Sequence, residues 1–420
     1  MLGLLSIIAA IGLGGALEDG PRGRAETVAG ETFAARLTAF DGADFVLETD
    51  TGPRRVAAAD LALLHAAPAP VARPAAAPPS IEPVPDSPPP ADDMLLLAGP
   101  DADRLVGRLV GGDADGVLFD LGDGRPVVVA FERIERVLPA ARLPADRLAL
   151  LDGAGDDDRL WRRRDDGGLD SLAGVVDRVA EGRVAFDGAL GRMEFALDEV
   201  VAVVLAGGEA GDAGTLGLPV VLRLARGSRL VARLLEAGEG RLVVATRFAA
   251  RLELPLDAVL ALVPRGPERV LLSDLAPVEV EERPTVGGPA DVLFPWRRDL
   301  SVTGRPLDVG GQPRATGIGV HAFTRLVFDL PHGVRALRVT GGLCDEVTEL
   351  PARGSVEFRV LVDGRERARA QVVEDGSPAL LRVEGLDGAR RLELVVTDGG
   401  DDDAGDRAAW VDGLLLRGGG

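Results

Sequence analysis

A hydrophobic frame of constant length recurs along the first two thirds of the chain. An apolar residue opens each copy and another closes it 28 or 29 positions later, in the pairs Phe33 and Leu61, Leu105 and Ile134, Leu172 and Val200, and Leu230 and Val259. Between these residues each copy has a turn rich in Asp and Gly, a strand with alternating polarity, a second turn and a further strand. Conserved spacing with period-two alternation predicts four copies of one small β-unit.

The size of the copies limits the architecture that they can adopt. Four or five short strands in so few residues suit a small barrel of the SH3-like or Sm-like kind, although the similarity is one of hydrophobic spacing only. A unit this small buries little surface, so copies are expected to pair with each other. We expect the third and fourth copies to form one compact pair. We expect the Pro/Ala-rich stretch to separate the first copy from the rest.

The same patterns predict the domain boundaries. They place a signal peptide at 1–17, β-repeats at 30–65, 96–140, 170–207 and 217–265, a Pro/Ala-rich linker at 66–95, a connector at 141–169 and a C-terminal β-sandwich at 268–418. The first 16 residues are apolar, end in small residues and precede Glu18 and Asp19, which is typical of an export signal. An uncleaved membrane anchor is the alternative, but the run is short for a bilayer span. The expected location is secreted, periplasmic or at the cell surface.

The C-terminal part is organised around the run GIGVHAFTRLVFDL at 317–330. Gly317 and Gly319 permit a turn or a close backbone approach, and alternation of apolar and polar residues begins at Leu326. Further alternating runs follow at 335–342, 354–369 and 379–417, each ended by Gly, Asp or Pro. Short alternating strands separated by turn residues predict a β-sandwich, so the whole chain is expected to be all-β.

An ordered set of motifs in this region resembles the NPCBM family, a carbohydrate-binding module described beside family 98 glycoside hydrolases. The set covers roughly residues 290 to 417 and consists of GIGVHA (317–322), LVFDL (326–330), GSVEFRVLVDG (354–364), LELVVTDGGDDDAGD (392–406) and WVD (410–412). The resemblance implies a jelly-roll-like sandwich that binds a sugar and has no catalytic activity.

Composition excludes several functional classes. The net charge of −20 argues against nucleic acid and anionic lipid surfaces as partners, beyond any membrane contact of the export signal. The chain contains no Lys, no Asn and no Tyr, so all 47 basic residues are Arg. Most carboxylates lie in Asp/Gly turns, and only 4% of residues are aromatic, which does not suit the aromatic-lined cleft of a glycosidase. We therefore expect no enzyme activity.

The candidate carbohydrate-binding residues lie in the C-terminal domain. A sugar offers an apolar C–H face and a rim of hydroxyl groups, so a site for it needs a flat aromatic ring beside charged or amide groups. Trp410 is the candidate ring, and the candidate hydroxyl partners are His321, Asp345, Asp406 and Asp412. Two alternatives remain open: Trp410 is a core residue on an apolar strand, and His321 makes a structural hydrogen bond that fixes its turn.

The acidic turn at 398–406 has the oxygen ligands and the glycines that calcium prefers. Asp398, Asp401 and Asp403 are the candidate ligands of a structural calcium ion, although their spacing is not that of an EF-hand loop. A solvated acidic turn is the alternative, and no other cofactor is expected.

Two functions are consistent with these observations. The first is an exported, non-catalytic protein that binds carbohydrate through its C-terminal module. The second is a structural or protein-interaction scaffold built on the repeats, with a sandwich that no longer binds a ligand. An exposed Trp410 near Asp412, Asp345 and His321 favours the first function, and a buried Trp410 favours the second.

Overall fold

The computed structural model describes residues 22–66, 92–99, 103–141, 155–164, 168–283, 294–350, 354–373 and 376–418. The predicted signal peptide and most of the predicted linker lie outside these ranges. Strands make up almost all of the regular structure, so the prediction of an all-β protein is confirmed. No helix in the described part of the chain is long and apolar enough to cross a membrane.

The repeats form twenty strands in four units of five. The first unit contains β1 (Gly23–Thr27), β2 (Thr32–Phe40), β3 (Asp44–Thr49), β4 (Gly52–Ala57) and β5 (Leu61–His65). The second contains β6 (Asp93–Leu97), β7 (Arg104–Gly112), β8 (Gly116–Asp120), β9 (Val127–Ala130) and β10 (Ile134–Leu138). The third contains β11 (Asp158–Arg163), β12 (Leu169–Ala180), β13 (Arg183–Gly188), β14 (Gly191–Ala196) and β15 (Val200–Val204). The fourth contains β16 (Leu218–Leu224), β17 (Arg229–Gly238), β18 (Arg241–Ala245), β19 (Leu252–Pro255) and β20 (Val259–Pro264).

All four units have the same topology. The first four strands form an antiparallel meander, and the fifth strand returns to pair with the first. In each unit the residues that open and close the hydrophobic frame are buried or packed against the core. The sequence repeat is therefore a repeat of one small barrel-like fold.

The first strand of three units begins before the predicted boundary of its repeat. β1 begins at Gly23, β6 begins at Asp93 inside the range predicted as linker, and β11 lies inside the range predicted as connector. Each of these strands precedes the recurring frame, so the frame alone does not reveal it. Because the first strand pairs with both the second and the fifth, it is needed to close the unit.

The units pair differently from the expectation. β5 pairs with β20 and β10 pairs with β15, so the first unit joins the fourth and the second joins the third. The expected compact pair of the third and fourth copies is wrong, and the first copy is not separate. Leu64 pairs with Leu262, and Val137 pairs with Val203. Each of the four residues stands three positions after the closing residue of its frame, so each contact joins equivalent positions, as in an isologous dimer.

The C-terminal part contains the remaining strands and forms a two-sheet sandwich. Its strands are β21 (Arg269–Leu271), β22 (Glu279–Glu282), β23 (Arg297–Arg298), β24 (Asp308–Val309), β25 (Gln312–Pro313), β26 (Gly317–His321), β27 (Thr324–Asp329), β28 (Val334–Leu343), β29 (Ser355–Val362), β30 (Arg365–Val373), β31 (Ala379–Glu384), β32 (Arg391–Thr397) and β33 (Arg407–Arg417). One sheet has the order β23-β26-β33-β28-β31 with β21 also on β33, the other has the order β22-β27-β32-β29-β30, and β24 and β25 form a hairpin. Short 3-10 turns occupy Phe131–Arg133, Pro139–Ala141, Ala225–Gly227, Leu256–Ala258, Leu272–Asp274 and Asp345–Glu349.

Buried arginines join the sandwich to the repeats. Arg229 of the fourth unit lies 2.7 Å from Asp299 of the sandwich and 3.5 Å from Asp103 of the second unit. Arg338 of the sandwich lies 3.1 Å from Glu26 of the first unit. All five side chains are buried. Charges are buried only when they are paired, because an unpaired charge in a protein interior is costly, so these contacts specify one arrangement of the two parts.

Candidate functional site

Trp410 is a core residue. It lies on β33, between β26 and β28, and its side chain is 1% exposed. Its ring meets Phe358 of the opposite sheet edge-on, with centroids 4.7 Å apart. The expectation of an exposed stacking surface is wrong, because Trp410 faces the space between the sheets from a central strand.

Asp412 belongs to the contact between the sandwich and the first repeat unit. Its Oδ2 lies 2.5 Å from Arg314 Nη1 and 3.6 Å from His65 Nε2. Burial alone would raise the pKa of Asp412, but Arg314 and His65 outweigh it and lower the pKa to about 2. Asp412 is therefore not placed to meet a sugar. His65, which ends β5, is 1% exposed and completes this contact.

Asp406 is fully buried beside the acidic turn. Its Oδ1 accepts a hydrogen bond of 2.8 Å from the Ser355 backbone N–H, and its Oδ2 has no partner. Burial raises the pKa of Asp406 to about 8, and the neighbouring charges of Asp401, Asp398 and Asp403 act in the same direction. A carboxyl group in this position stabilises the turn and is shielded from an external ligand.

The carboxylates of the acidic turn accept hydrogen bonds from the turn itself and from the adjacent Ser355. Asp398 accepts from Gly400 N–H at 3.1 Å, and Asp401 accepts from the Ser355 hydroxyl at 2.9 Å. Within the described residues, no group of three or more His, Cys, Asp and Glu side chains is arranged to hold a metal ion. The candidate ligands Asp398, Asp401 and Asp403 thus do not fit a calcium ion, and the alternative of a solvated acidic turn accounts for the geometry.

His321 ends β26 and is held by local contacts. It is 5% exposed, and its Nδ1 lies 2.6 Å from the Ala322 carbonyl oxygen, to which it donates. Its ring stacks on Phe294 with centroids 4.8 Å apart. Burial lowers the pKa of His321. These contacts correspond to the structural hydrogen bond that the sequence left open, and they place the half-buried Phe294 ring at this end of the sandwich.

Asp345 fixes the hairpin turn between β24 and β25. Its two carboxylate oxygens accept hydrogen bonds from Gly310 N–H at 2.8 Å and Gly311 N–H at 2.9 Å. Burial raises the pKa of Asp345, against the effect of these two hydrogen bonds. Its side chain is half-buried and lines a small pocket. Among the sequence-predicted candidates, Asp345 is therefore the one that a ligand in this pocket could reach.

The pocket has a volume of about 210 Å³. It is lined by Ser301, Arg305, Pro306, Asp308, Cys344, Asp345, Glu346 and Glu349. Glu346 is buried and accepts hydrogen bonds from the hydroxyls of Thr303 at 2.6 Å and Ser301 at 3.3 Å. Arg305 and Glu349 are exposed at the pocket and lie 2.7 Å apart. The pocket therefore combines fixed and accessible polar groups.

Arg407 connects this pocket to His321. It pairs with His321 in the register of β26 and β33, and its guanidinium lies 5.6 Å from the Phe294 ring and 4.0 Å from Glu346 Oε1. We call the group His321, Phe294, Arg407, Glu346 and Arg305 the His321 end. It offers guanidinium donors, carboxylate acceptors and one aromatic ring on a single end of the sandwich.

Sequence reasoning missed most of the His321 end. Arg305 lies in the loop before β24, and Glu346 lies 41 positions later in the 3-10 turn after β28. The bridge between Val309 of β24 and Cys344 brings the two segments together. The one available indication was the position of His321 at the start of the strongest motif. Of the five sequence-predicted residues, His321 belongs to the His321 end, Asp345 lines the adjoining pocket, and Trp410, Asp406 and Asp412 lie in the interior.

Comparison with known proteins identifies the sandwich. Residues 268–415 match the family model of the NPCBM/NEW2 domain. The sandwich is an NPCBM/NEW2 domain. The match begins just before β21 and ends within β33, so the resemblance seen in the sequence motifs is confirmed and extends to the first strand of the sandwich.

Individual relatives match parts of the chain. Alpha-1,3-galactosidase B of Akkermansia muciniphila is 31% identical over 117 residues, which cover 28% of this chain and 15% of that protein. A CBM51 module from Clostridium perfringens GH95, solved in complex with methyl-galactose, is 24% identical over 35% of this chain and 99% of that chain, with a TM-score of 0.30. The tandem CBM51 modules of a family 98 glycoside hydrolase from Streptococcus pneumoniae are 14% identical over 77% of this chain and 88% of that chain, with a TM-score of 0.31. The chain thus spans about a seventh of the length of the curated relative.

Proposed function

We propose that this protein binds carbohydrate, without catalysis, through the His321 end of its NPCBM/NEW2 domain. The observation that carries the proposal is the match of residues 268–415 to the NPCBM/NEW2 model. The chemistry of the His321 end agrees with it, because guanidinium and carboxylate groups form charge-assisted hydrogen bonds with hydroxyl groups. We expect the half-buried Phe294 ring, which contacts His321 and lies near Arg407, to provide the apolar surface for a sugar ring.

The dimensions of the pocket suggest a small ligand. Its volume of about 210 Å³ lies below the range of roughly 300–1,000 Å³ that is usual for drug-sized ligands. One sugar unit at the end of a glycan suits this volume better than an internal segment of a polysaccharide. Galactosides are the first probes to use, because the curated relative of 31% identity has the name of a galactosidase.

The proposal is tested by binding measurements on the full chain. A glycan array identifies the class of sugar, and calorimetry with methyl-galactose or the best array ligand measures the affinity. We expect Arg305→Ala to lower the affinity about tenfold or more, because it removes an exposed hydrogen-bond donor from the pocket. Arg369→Ala is the matched control, since Arg369 is as exposed as Arg305 and pairs with Glu366 at 2.9 Å on β30.

Arg305→Ala should lower the affinity for the sugar, and Arg369→Ala should leave it unchanged. Unchanged binding by Arg305→Ala would remove the pocket from the proposal. A protein that binds no sugar on the array would refute carbohydrate binding altogether.

Export is a separate part of the proposal. It rests on the apolar segment at 1–17, with its small residues and the acidic residues that follow it. Fractionation of cells that produce the full chain tests it, and protein found only in the cytoplasm would contradict it.

A scaffold role is the second candidate, and the buried position of Trp410 favours it. With Trp410 in the core and Asp412 in the contact to the repeats, the sandwich lacks the exposed tryptophan that a sugar site often uses. The repeats would then carry the function, as a structural or protein-interaction scaffold. The same array distinguishes the two candidates, because a scaffold whose sandwich has lost its ligand binds no glycan.

A further inference from the structure

A groove of about 850 Å³ lies between the first and fourth repeat units. Its apolar lining consists of Ala35, Leu37, Leu64, Ala66, Pro255, Leu256, Val259, Leu260 and Leu262. A concave apolar site of roughly 300–1,000 Å³ is the usual form of a small-molecule site in a protein. The walls of the groove belong to the first and fourth repeat units, whereas the His321 end belongs to the sandwich.

Three strands around the groove have partner strands on both sides along part of their length. β2 lies between β1 and β3, β5 lies between β1 and β20, and β20 lies between β16 and β5. Ala66 N–H donates to the Leu260 carbonyl oxygen at 2.8 Å and continues the contact past the end of β5. Residues 36–38 of β2 pair with β3 on one edge, and β19, which carries Pro255, pairs with β18, so the pairing of strands does not select the occupant. The choice of a small molecule rests on the volume and apolar lining of the groove and on the side chain of Arg36.

One hydrogen-bond donor lines this apolar surface without a protein acceptor. The side chain of Arg36 lines the groove and, among the described residues, makes no hydrogen bond or ion pair. His65 also lines the groove, but its side chain is buried in the contact with Arg314 and Asp412. A guanidinium without a protein partner can form charge-assisted hydrogen bonds with the carboxylate of a ligand.

We propose that the groove binds an acyl-chain carboxylate, with the hydrocarbon chain on the apolar lining and the carboxylate at Arg36. Asp257 and Glu239 line the groove as well, on the side of the fourth unit, so an anionic head is repelled there and attracted to the first unit. This inference does not depend on carbohydrate binding at the other end of the molecule.

Arg108 provides a matched control within the same chain. It occupies the position of the second unit that Arg36 occupies in the first, three residues after the residue that opens the frame. Arg36 pairs with Glu48 across β2 and β3, and Arg108 pairs with Asp120 across β7 and β8. Arg108 is exposed and does not line the groove. The two substitutions therefore remove the same charge from equivalent strands.

The test is calorimetric titration of the full chain with laurate below its micelle concentration. We expect saturable binding of one laurate per chain, an affinity about tenfold lower for Arg36→Ala, and no change for Arg108→Ala. Leu260→Glu, which places a carboxylate on the half-buried wall of the groove, should abolish binding without changing the circular dichroism spectrum. Dodecyltrimethylammonium has an apolar chain of the same length and a cationic head, and it should bind more weakly than laurate.

Four results would overturn the proposal. The first three are the absence of saturable laurate binding, an equal loss in Arg36→Ala and Arg108→Ala, and equal affinity for the cationic amphiphile. Binding of an apolar peptide in place of laurate would show that the groove has a different occupant and would also overturn it.

Discussion

Asp406 should make the protein less stable as the pH rises. The pKa of this carboxyl group is raised from 3.8 to about 8, and burial is the largest cause. Between these pH values the folded protein keeps a proton that the unfolded chain releases. The contribution of Asp406 to the free energy of unfolding is therefore fully present below pH 3.8 and is lost as the pH rises towards 8.

The magnitude follows from the size of the shift. A difference of about 4 pKa units at roughly 1.4 kcal/mol per unit sets an upper limit of about 6 kcal/mol. Water reaches the acidic turn beside Asp406, which weakens the electrostatic part of the shift. We therefore expect a loss of about 2 to 4 kcal/mol between pH 4 and pH 8. Asp412 affects stability over a different pH range. Its pKa is lowered to about 2, so the stability that it contributes is lost only as the pH falls below 3.8 towards 2.

Asp406→Asn isolates this effect. The amide keeps an oxygen that can accept from Ser355 N–H but cannot ionise, so the variant should lose the decline between pH 4 and pH 8. Urea unfolding at a series of pH values, followed by tryptophan fluorescence, measures it, because Trp410 reports on the core of the sandwich. Asp402→Asn is the control, as Asp402 is an exposed member of the same turn. Equal slopes for Asp406→Asn and the unchanged protein would refute the argument.

Three further predictions concern the core, the contact between the two parts, and metal binding. Trp410→Ala should cost about 3 to 5 kcal/mol in urea unfolding, since it empties a site in the sandwich core; a cost below about 1 kcal/mol would contradict that position. Asp299→Ala should cost about 3 to 5 kcal/mol, because Arg229 would lose its closest carboxylate at 2.7 Å while remaining buried, and an unchanged melting temperature would show that the contact does not matter. Chelator and millimolar calcium should give the same melting temperature, since the acidic turn lacks a converging set of ligands; a rise with calcium would show that a cation binds the folded turn.

The fold was accessible from the sequence where the evidence was local. Spacing between Leu105 and Ile134, repeated at Leu172 and Val200, reflects the constant length of a strand–turn–strand unit, and strand alternation reports directly on burial. The first strands of the units were not predicted because the evidence for them is not local. The sequence DRLWRR of β11 has little alternation, and its role depends on strands at both ends of its unit.

The site was less accessible, because it depends on distant parts of the chain. Asp412 follows Trp410 in a motif that suggests a ligand site, yet its partner His65 lies 347 positions earlier, in the first repeat unit. No local pattern at either residue shows that the two meet. The pairing of units was mispredicted for the same reason. The third and fourth copies have no spacer between them in the sequence, yet the first unit pairs with the fourth and the second with the third.

The buried ion pairs between the repeats and the sandwich also bear on the thermodynamics of recognition. A binding module on a flexible tether loses orientational freedom when it meets a surface, and that loss of entropy weakens its affinity. Here Arg229, Asp299 and Arg338 fix the orientation of the sandwich when the chain folds. The orientation of the His321 end relative to the first repeat unit is therefore fixed before any ligand binds. Binding would then cost the entropy of the whole molecule but no further entropy of motion between its two parts.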